Sequence, residues 1–157
     1  MQTESPRIGL AQVWPEAYGT ISRLNQQVNE SGVEPRLLEL IKVRASQLNR
    51  CAFCLNMHWQ DARKLGETEQ RLALLDAWAE ADCYTAAERA VLALTEAMTL
   101  LPQGGVSDAV VDAVREHFDE AQTARIMFAV VLINSWNRIA VADRLPLSLL
   151  AKLRAAH

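Results

Sequence analysis

No stretch of this chain alternates apolar and polar side chains with a period of two, and no β-branched run is bracketed by turn residues. Strands are therefore not expected. Nor is there a Lys/Arg run or a basic stripe. Sixteen basic residues against 19 acidic ones give a formal charge of -3, which lacks the electrostatic footprint of a nucleic-acid binder. Only 22% of the residues are charged while 50% are hydrophobic, a balance that excludes disorder. The first ten residues are polar, carry Glu4 and Pro6, and lack the apolar centre of a secretory signal. The longest apolar stretch, Ile126 to Ile133, is far shorter than the roughly 20 residues that cross a bilayer. No membrane or nucleic-acid partner is expected, and a cytoplasmic location is the default.

Metal-ligating residues are scarce too. The 157 residues include three cysteines and three histidines. A structural zinc site asks for four ligands, usually drawn from two pairs, and no second pair accompanies Cys51 and Cys54. A site made of Cys51, Cys54 and His58 would need a distant fourth ligand or an open position, so neither a metal nor another cofactor is expected. In a reducing compartment a close thiol pair is redox-active or metal-binding more often than structural. Cys83 has no neighbour in sequence and reads as a small buried hydrophobe.

What the chain does contain is helix signals from end to end. Pro15 opens a segment running from Trp14 to about Glu30, and Gly32 stops it. Pro35 to Asn49 follows, with Leu37, Leu38, Leu40, Ile41, Val43, Ala45 and Leu48 forming its apolar face. A third helix carries the cysteines and ends at Gly66, and a fourth runs from Thr68 to about Ala79. Thr85 and Glu88 form a capping box for a helix that Pro102 and Gly104-Gly105 end. Ser107 caps a sixth helix through His117, Glu120 to Ala142 is the longest and most apolar, and Pro146 to Ala155 is the last. The spacing predicts one all-α domain over 1–157, a bundle of seven or eight helices. The long seventh helix is either the centre of the bundle or covered on one face by another subunit.

Chemistry concentrates at Cys51-Ala-Phe-Cys54-Leu-Asn-Met-His58. At 3.6 residues per turn, positions 51, 54 and 58 fall within about 60° of one another, so both thiols and the imidazole share a face if Cys51 starts the helix. A helix N-terminus favours thiolate over thiol, and more so for Cys51 than for Cys54. An adjacent imidazole can move the proton. Such a pair can attack an oxygen or sulfur electrophile and close into a disulfide. Glu39 lies opposite the Leu/Ile face of its helix with Lys42 and Ser46, where a solvated carboxylate is the ordinary expectation; Lys42 and Arg44 either lend positive potential to the site or are surface charges, the second reading being at least as strong. Phe53, Trp59 and Trp136 are candidates for an apolar pocket, although core packing is the default for each. His117 and His157 carry no signal of chemistry.

The stretch from Leu38 to His58, with Glu39 twelve residues before Cys51, Ser46 and Asn49 between, and His58 four beyond Cys54, resembles the alkylhydroperoxidase AhpD-like family within the carboxymuconolactone decarboxylase superfamily. Asn134-Ser135-Trp136-Asn137-Arg138 is similar to that family's late helix. The resemblance implies an all-α homo-oligomer, a trimer or hexamer, in which the dithiol reduces a hydroperoxide. It assigns Cys54 as the peroxide-attacking thiol, Cys51 as the resolving thiol, and Glu39 with His58 as a proton relay. It also implies a lipoyl-bearing or thioredoxin-like protein as thiol reductant. Some members carry a histidine immediately before the second cysteine; Phe53 stands there and cannot share in proton transfer. Two rivals remain at this stage: lactone decarboxylation, which uses no dithiol, and a non-enzymatic redox sensor whose disulfide changes its assembly.

Overall fold

The computed structural model describes residues 5–155. Among them are nine α-helices and two short 3₁₀ turns, with no strand: α1 Leu10–Val13, α2 Pro15–Asn29, α3 Pro35–Leu48, α4 Ala52–Lys64, α5 Glu69–Leu74, α6 Ala86–Thr99, α7 Asp108–Arg115, α8 Glu120–Asp143 and α9 Ser148–Ala155. Eight of these answer to the expected segments, and the single turn α1 is the addition. The fourth expected helix is in fact α5 followed by a 3₁₀ turn, Leu75–Ala77. Thr68 and Thr85 cap as expected, Thr85 in a full capping box with Glu88, whereas Ser107 sits at its N-cap without a side-chain bond.

Helix α3 organises the rest, because it packs against α4, α6 and α8 at once. Leu38, Ile41 and Ala45 feed the larger apolar cluster, shared with α6 and α8, while Leu40 and Val43 feed a second one built with Ala62, Leu72, Leu75 and Leu92. Covered on both sides, α3 is buried without a break from Leu37 to Ser46. Its polar stripe is therefore internal. The surface positions expected for Glu39, Lys42 and Arg44 are corrected by this packing: they are 7%, 5% and 6% exposed. Amphipathic spacing marks the more apolar side of a helix but not whether the other side is covered.

By length and composition α8 could cross a membrane, although its longest uninterrupted apolar stretch is short. Here it is the long core helix, contacting α2, α3, α4, α6 and α7. The Asp143 carboxylate at its end accepts backbone N–H bonds from Ile8, Gly9 and Leu10. The outward face keeps Phe128, Val131 and Val141 about half exposed.

The connection from α3 to α4 sets the position of the site. Cys51 N–H bonds to the Ser46 carbonyl at 3.0 Å and Arg50 N–H to the Gln47 carbonyl at 3.1 Å, with Arg50 at φ +53°. This is the two-bond left-handed C-terminal cap. The same pair of bonds ends α4 through Gly66, at φ +89°, where glycine was the visible signal. At Arg50 a side chain occupies a conformation that disfavours it. Arg50→Gly is expected to raise stability by about 0.5–1 kcal/mol in urea unfolding, with the denaturant slope unchanged.

Candidate active site

Cys51 ends one helix cap and begins the next. It is the N-cap residue of α4, with Sγ accepting the Cys54 backbone N–H at 3.3 Å. A sulfur placed there meets the unpaired N–H groups and positive end of the helix, both of which favour its anion. Both thiols are buried, Cys51 at 1% and Cys54 at 2% exposure, and all three cysteines are unlinked. Little of Cys51 reaches solvent. It does line a cleft of about 450 Å³, together with Ser46, Gln47, Arg50, Ala52, Leu55 and Asp76.

A ladder of buried polar groups runs along α3 beneath the pair. Glu39 Oε2 meets His58 Nδ1 at 2.8 Å, and Glu39 Oε1 accepts from Lys42 Nζ at 2.8 Å. Lys42 also donates to Asn29 Oδ1 at 2.9 Å. Further along, Ser46 Oγ accepts from Asn137 Nδ2 at 3.0 Å, and Asn49 Nδ2 donates to Asn137 Oδ1 at 2.9 Å and Asn134 Oδ1 at 3.0 Å. Asn134 continues to Thr99 Oγ1 at 3.0 Å. No fully buried side-chain nitrogen or oxygen among the described residues lacks a partner, as an internal polar stripe requires.

Asn137 is the residue that sequence reasoning passed over. It lies 1% exposed on α8, and its amide favours the anion of both Cys51 and Cys54. Its only signal was its place in a late-helix motif, with no role attached. Tyr18 from α2 is also near the pair: burial first, then the charges of Asp143 and Cys54, push its phenol up. It packs edge-on against Trp136 at 5.0 Å.

The two thiols are made unequal by these contacts. The neighbouring Cys54 thiol lowers the Cys51 pKa most; burial works against this, and the Cys54 N–H, Asn137 and the Phe53 N–H add to the lowering. The net result holds Cys51 down at about 7. Cys54 moves the opposite way, raised by that same contact, by burial and by the negative charge of Cys51. Burial pushes the Glu39 carboxyl up, but the His58 hydrogen bond, the His58 charge and Lys42 outweigh it and hold the group below its ordinary value.

The sequence candidates divide accordingly. Glu39, His58, Cys51 and Cys54 belong to one buried region joining α3 and α4. The aromatic pocket does not form: Phe53 and Trp136 belong to the larger cluster and Trp59 to the second. His117 is exposed at the end of α7, and His157 lies outside the described residues. Cys83 is half-buried against the second cluster. Ligand atoms of Glu39, His58 and Asp61 come within 4.8 Å of one another. Both carboxylates already hold cations, Lys42 on Glu39 and Arg154 on Asp61, so the charge that would attract a metal ion is largely compensated.

An all-α bundle with a CxxC pair at a helix N-terminus, beside a buried carboxylate–imidazole pair, is a dithiol protein of the AhpD-like class. The chain belongs to the carboxymuconolactone decarboxylase family, whose sequence profile matches residues 15–97. It is 44% identical to the uncharacterized protein YdfG of Bacillus subtilis over 88% of this chain and 94% of that one. Among solved structures, a protein of unknown function from Agrobacterium tumefaciens, suggested to be the antioxidant defence protein AhpD, matches with TM-score 0.85 and 40% identity, covering 88% of this chain and 95% of its own. An uncharacterized peroxidase-related protein with an alkylhydroperoxidase AhpD core, from Ralstonia eutropha, shares the fold at TM-score 0.76 and 20% identity, over 90% and 76% of the two chains.

Two outcomes follow from the geometry. Asn137→Ala removes an amide that favours the Cys51 anion; a rise of about one pKa unit takes the thiolate at pH 7 from about one half to about one tenth, so iodoacetamide labelling of the pair near neutral pH slows about fivefold. Because the folded-state Glu39 value is lowered, its stabilisation is present above about 4.5 and fades as pH falls through the lower folded value. Unfolding titrations across that window should show wild type losing stability that Glu39→Gln does not lose.

Proposed function

We propose that this protein is a thiol-dependent peroxidase that reduces hydroperoxides, organic ones in particular, through a dithiol–disulfide cycle of Cys51 and Cys54. The observation that carries the reading is the pair itself. One sulfur accepts a main-chain N–H at the start of α4, the other stands next to it, and the Asn137 amide serves both. Membership of the family and likeness to AhpD-related structures support a peroxidase-related role.

The chemistry balances without a metal or flavin. A thiolate attacks the distal oxygen of the hydroperoxide, the O–O bond breaks, and the alkoxide leaves as alcohol after taking a proton. The sulfenic acid formed is then attacked by the second thiol, releasing water and closing the disulfide. Two electrons pass from the pair to the peroxide. A dithiol donor restores the thiols by exchange, and the lipoyl-bearing or thioredoxin-like reductant implied by the resemblance fits that step. Glu39 fixes the His58 ring through Nδ1, which leaves the other ring nitrogen to carry protons one turn from Cys54. The half-exposed Phe128, Val131 and Val141 support self-association along α8, in keeping with a trimer or hexamer. Lactone decarboxylation has no use for the buried dithiol, and no site feature favours it.

Turnover of cumene hydroperoxide with a dithiol donor tests the reading. Cys51→Ser and Cys54→Ser should each abolish donor-coupled turnover, and His58→Ala should lower it by about a hundredfold. Unchanged turnover in either serine variant would defeat the mechanism.

A further inference from the structure

Taking a proton from the thiol pair turns His58 into an imidazolium inside the fold, where the ring is buried. Its hydrogen-bonded partner Glu39 already carries Lys42 on the other carboxylate oxygen, at 2.8 Å. We propose that Asp61 is the second carboxylate stabilising this imidazolium, a positioning residue that acts on the thiols through His58, and that Arg154 of α9 opposes it and so tunes the relay. This role rests on the peroxidase reading above and leaves the two sulfurs as the family resemblance assigns them.

The geometry follows from helical spacing. Asp61 stands three residues beyond His58 on α4, so the two side chains share a face. A carboxylate oxygen of Asp61, one of Glu39 and a ring nitrogen of His58 lie within 4.8 Å of one another. A full negative charge at that range acts without a hydrogen bond. Even at the dielectric constant of water it favours imidazolium over imidazole by about fourfold, and by more where the ring is shielded from solvent.

Two cations sit on the outer part of this carboxylate. Arg154 Nη2 donates to Oδ1 at 2.6 Å and Lys64 Nζ to the same oxygen at 3.1 Å, so Oδ2 takes no part in either bond. Lys64 is exposed and its charge is screened by solvent. Arg154 is half-buried and is fixed further by the Gln60 side chain and the Met57 carbonyl. From α3 the ring meets Glu39 with Lys42, a pair whose charges largely cancel. The contribution of α8 to the thiols is the neutral Asn137 amide. Asp61 therefore supplies the negative charge that is left to favour imidazolium, and Arg154 the positive charge that resists it. An ion pair serving only to hold α9 on α4 would give the same effect whichever partner is removed. An electrostatic role gives opposite effects.

Iodoacetamide labelling of Cys51 and Cys54, read at each residue by mass, tests this without peroxide. Asp61→Asn should slow labelling about threefold at pH 7, whereas Arg154→Gln should speed it about twofold at pH 6, where thiolate is scarcer. Both variants lose the same ion pair, so their melting temperatures should fall alike. With His58→Ala already in place, adding Asp61→Asn should slow labelling no further, because Asp61 works through the ring. Cumene hydroperoxide turnover at pH 7 should fall about threefold in Asp61→Asn. Unchanged labelling in Asp61→Asn, slower labelling in both single variants, or a slowing by Asp61→Asn that persists without His58 overturns the proposal. Opposite shifts in a protein inert to hydroperoxides keep the role of Asp61 and remove the peroxidase reading.

Discussion

One backbone turn governs the chemistry of this protein. At Arg50 the chain enters the left-handed region, which lets the Cys51 N–H close the end of α3 while the Cys51 sulfur opens α4. A single residue thereby completes two helix ends. The consequence is electrostatic as well as geometric: the sulfur is held where main-chain N–H groups converge, and the second thiol arrives beside it at the next available position of the helix. An arginine in that conformation costs free energy that glycine would not. Its persistence at the lip of the cleft belongs with the common finding that strained backbone gathers at working sites.

Burial of α3 on both sides supplies the remainder. A helix in that position would ordinarily present apolar residues all round. This one keeps Glu39, Lys42, Ser46 and, at its end, Asn49 facing inward, each satisfied by a side chain from another element or from α3 itself. Breaking such a chain at one link would strand a buried charge or donor, a larger loss than the net contribution of the bond. The ladder therefore acts as a unit. Glu39 and Lys42 orient the imidazole, and Ser46 and Asn49 fix the Asn137 amide that serves the sulfurs. Helix α8 brings Asn137 from the opposite side, so the thiol environment is completed only when α3, α4 and α8 are packed together.

Much of this was legible in the sequence, and the exceptions have physical reasons. The helix order could be read because capping and stop residues punctuate it: Pro15, Pro35, Thr68, Thr85 with Glu88, and Gly66. The Arg50 turn carries no such signal, since the residue there is not the one its conformation prefers. The coincidence of Cys51, Cys54 and His58 on one face followed from helical spacing. The burial of Glu39 did not, because periodicity describes one helix and burial depends on what lies on both sides of it. Phe53, Trp59 and Trp136 could not be sorted from the sequence either. Aromatic side chains fill cores and line pockets equally well, and these three are divided between two separate apolar clusters. Asn137 was invisible as chemistry for a related reason: an amide gains a role only from what faces it.

The account stands on Cys51 and Cys54 interconverting between dithiol and disulfide as a two-electron couple, with Cys83 outside it. Equilibrating the protein in dithiothreitol redox buffers and counting alkylated thiols by mass measures this directly. Cys51 and Cys54 should be lost together along a single two-electron curve, with a midpoint on the order of the thioredoxin and glutaredoxin range, about -200 to -270 mV, while Cys83 stays free throughout. Thiols that remain reduced across the whole range, or a disulfide that recruits Cys83 in place of either partner, would contradict it.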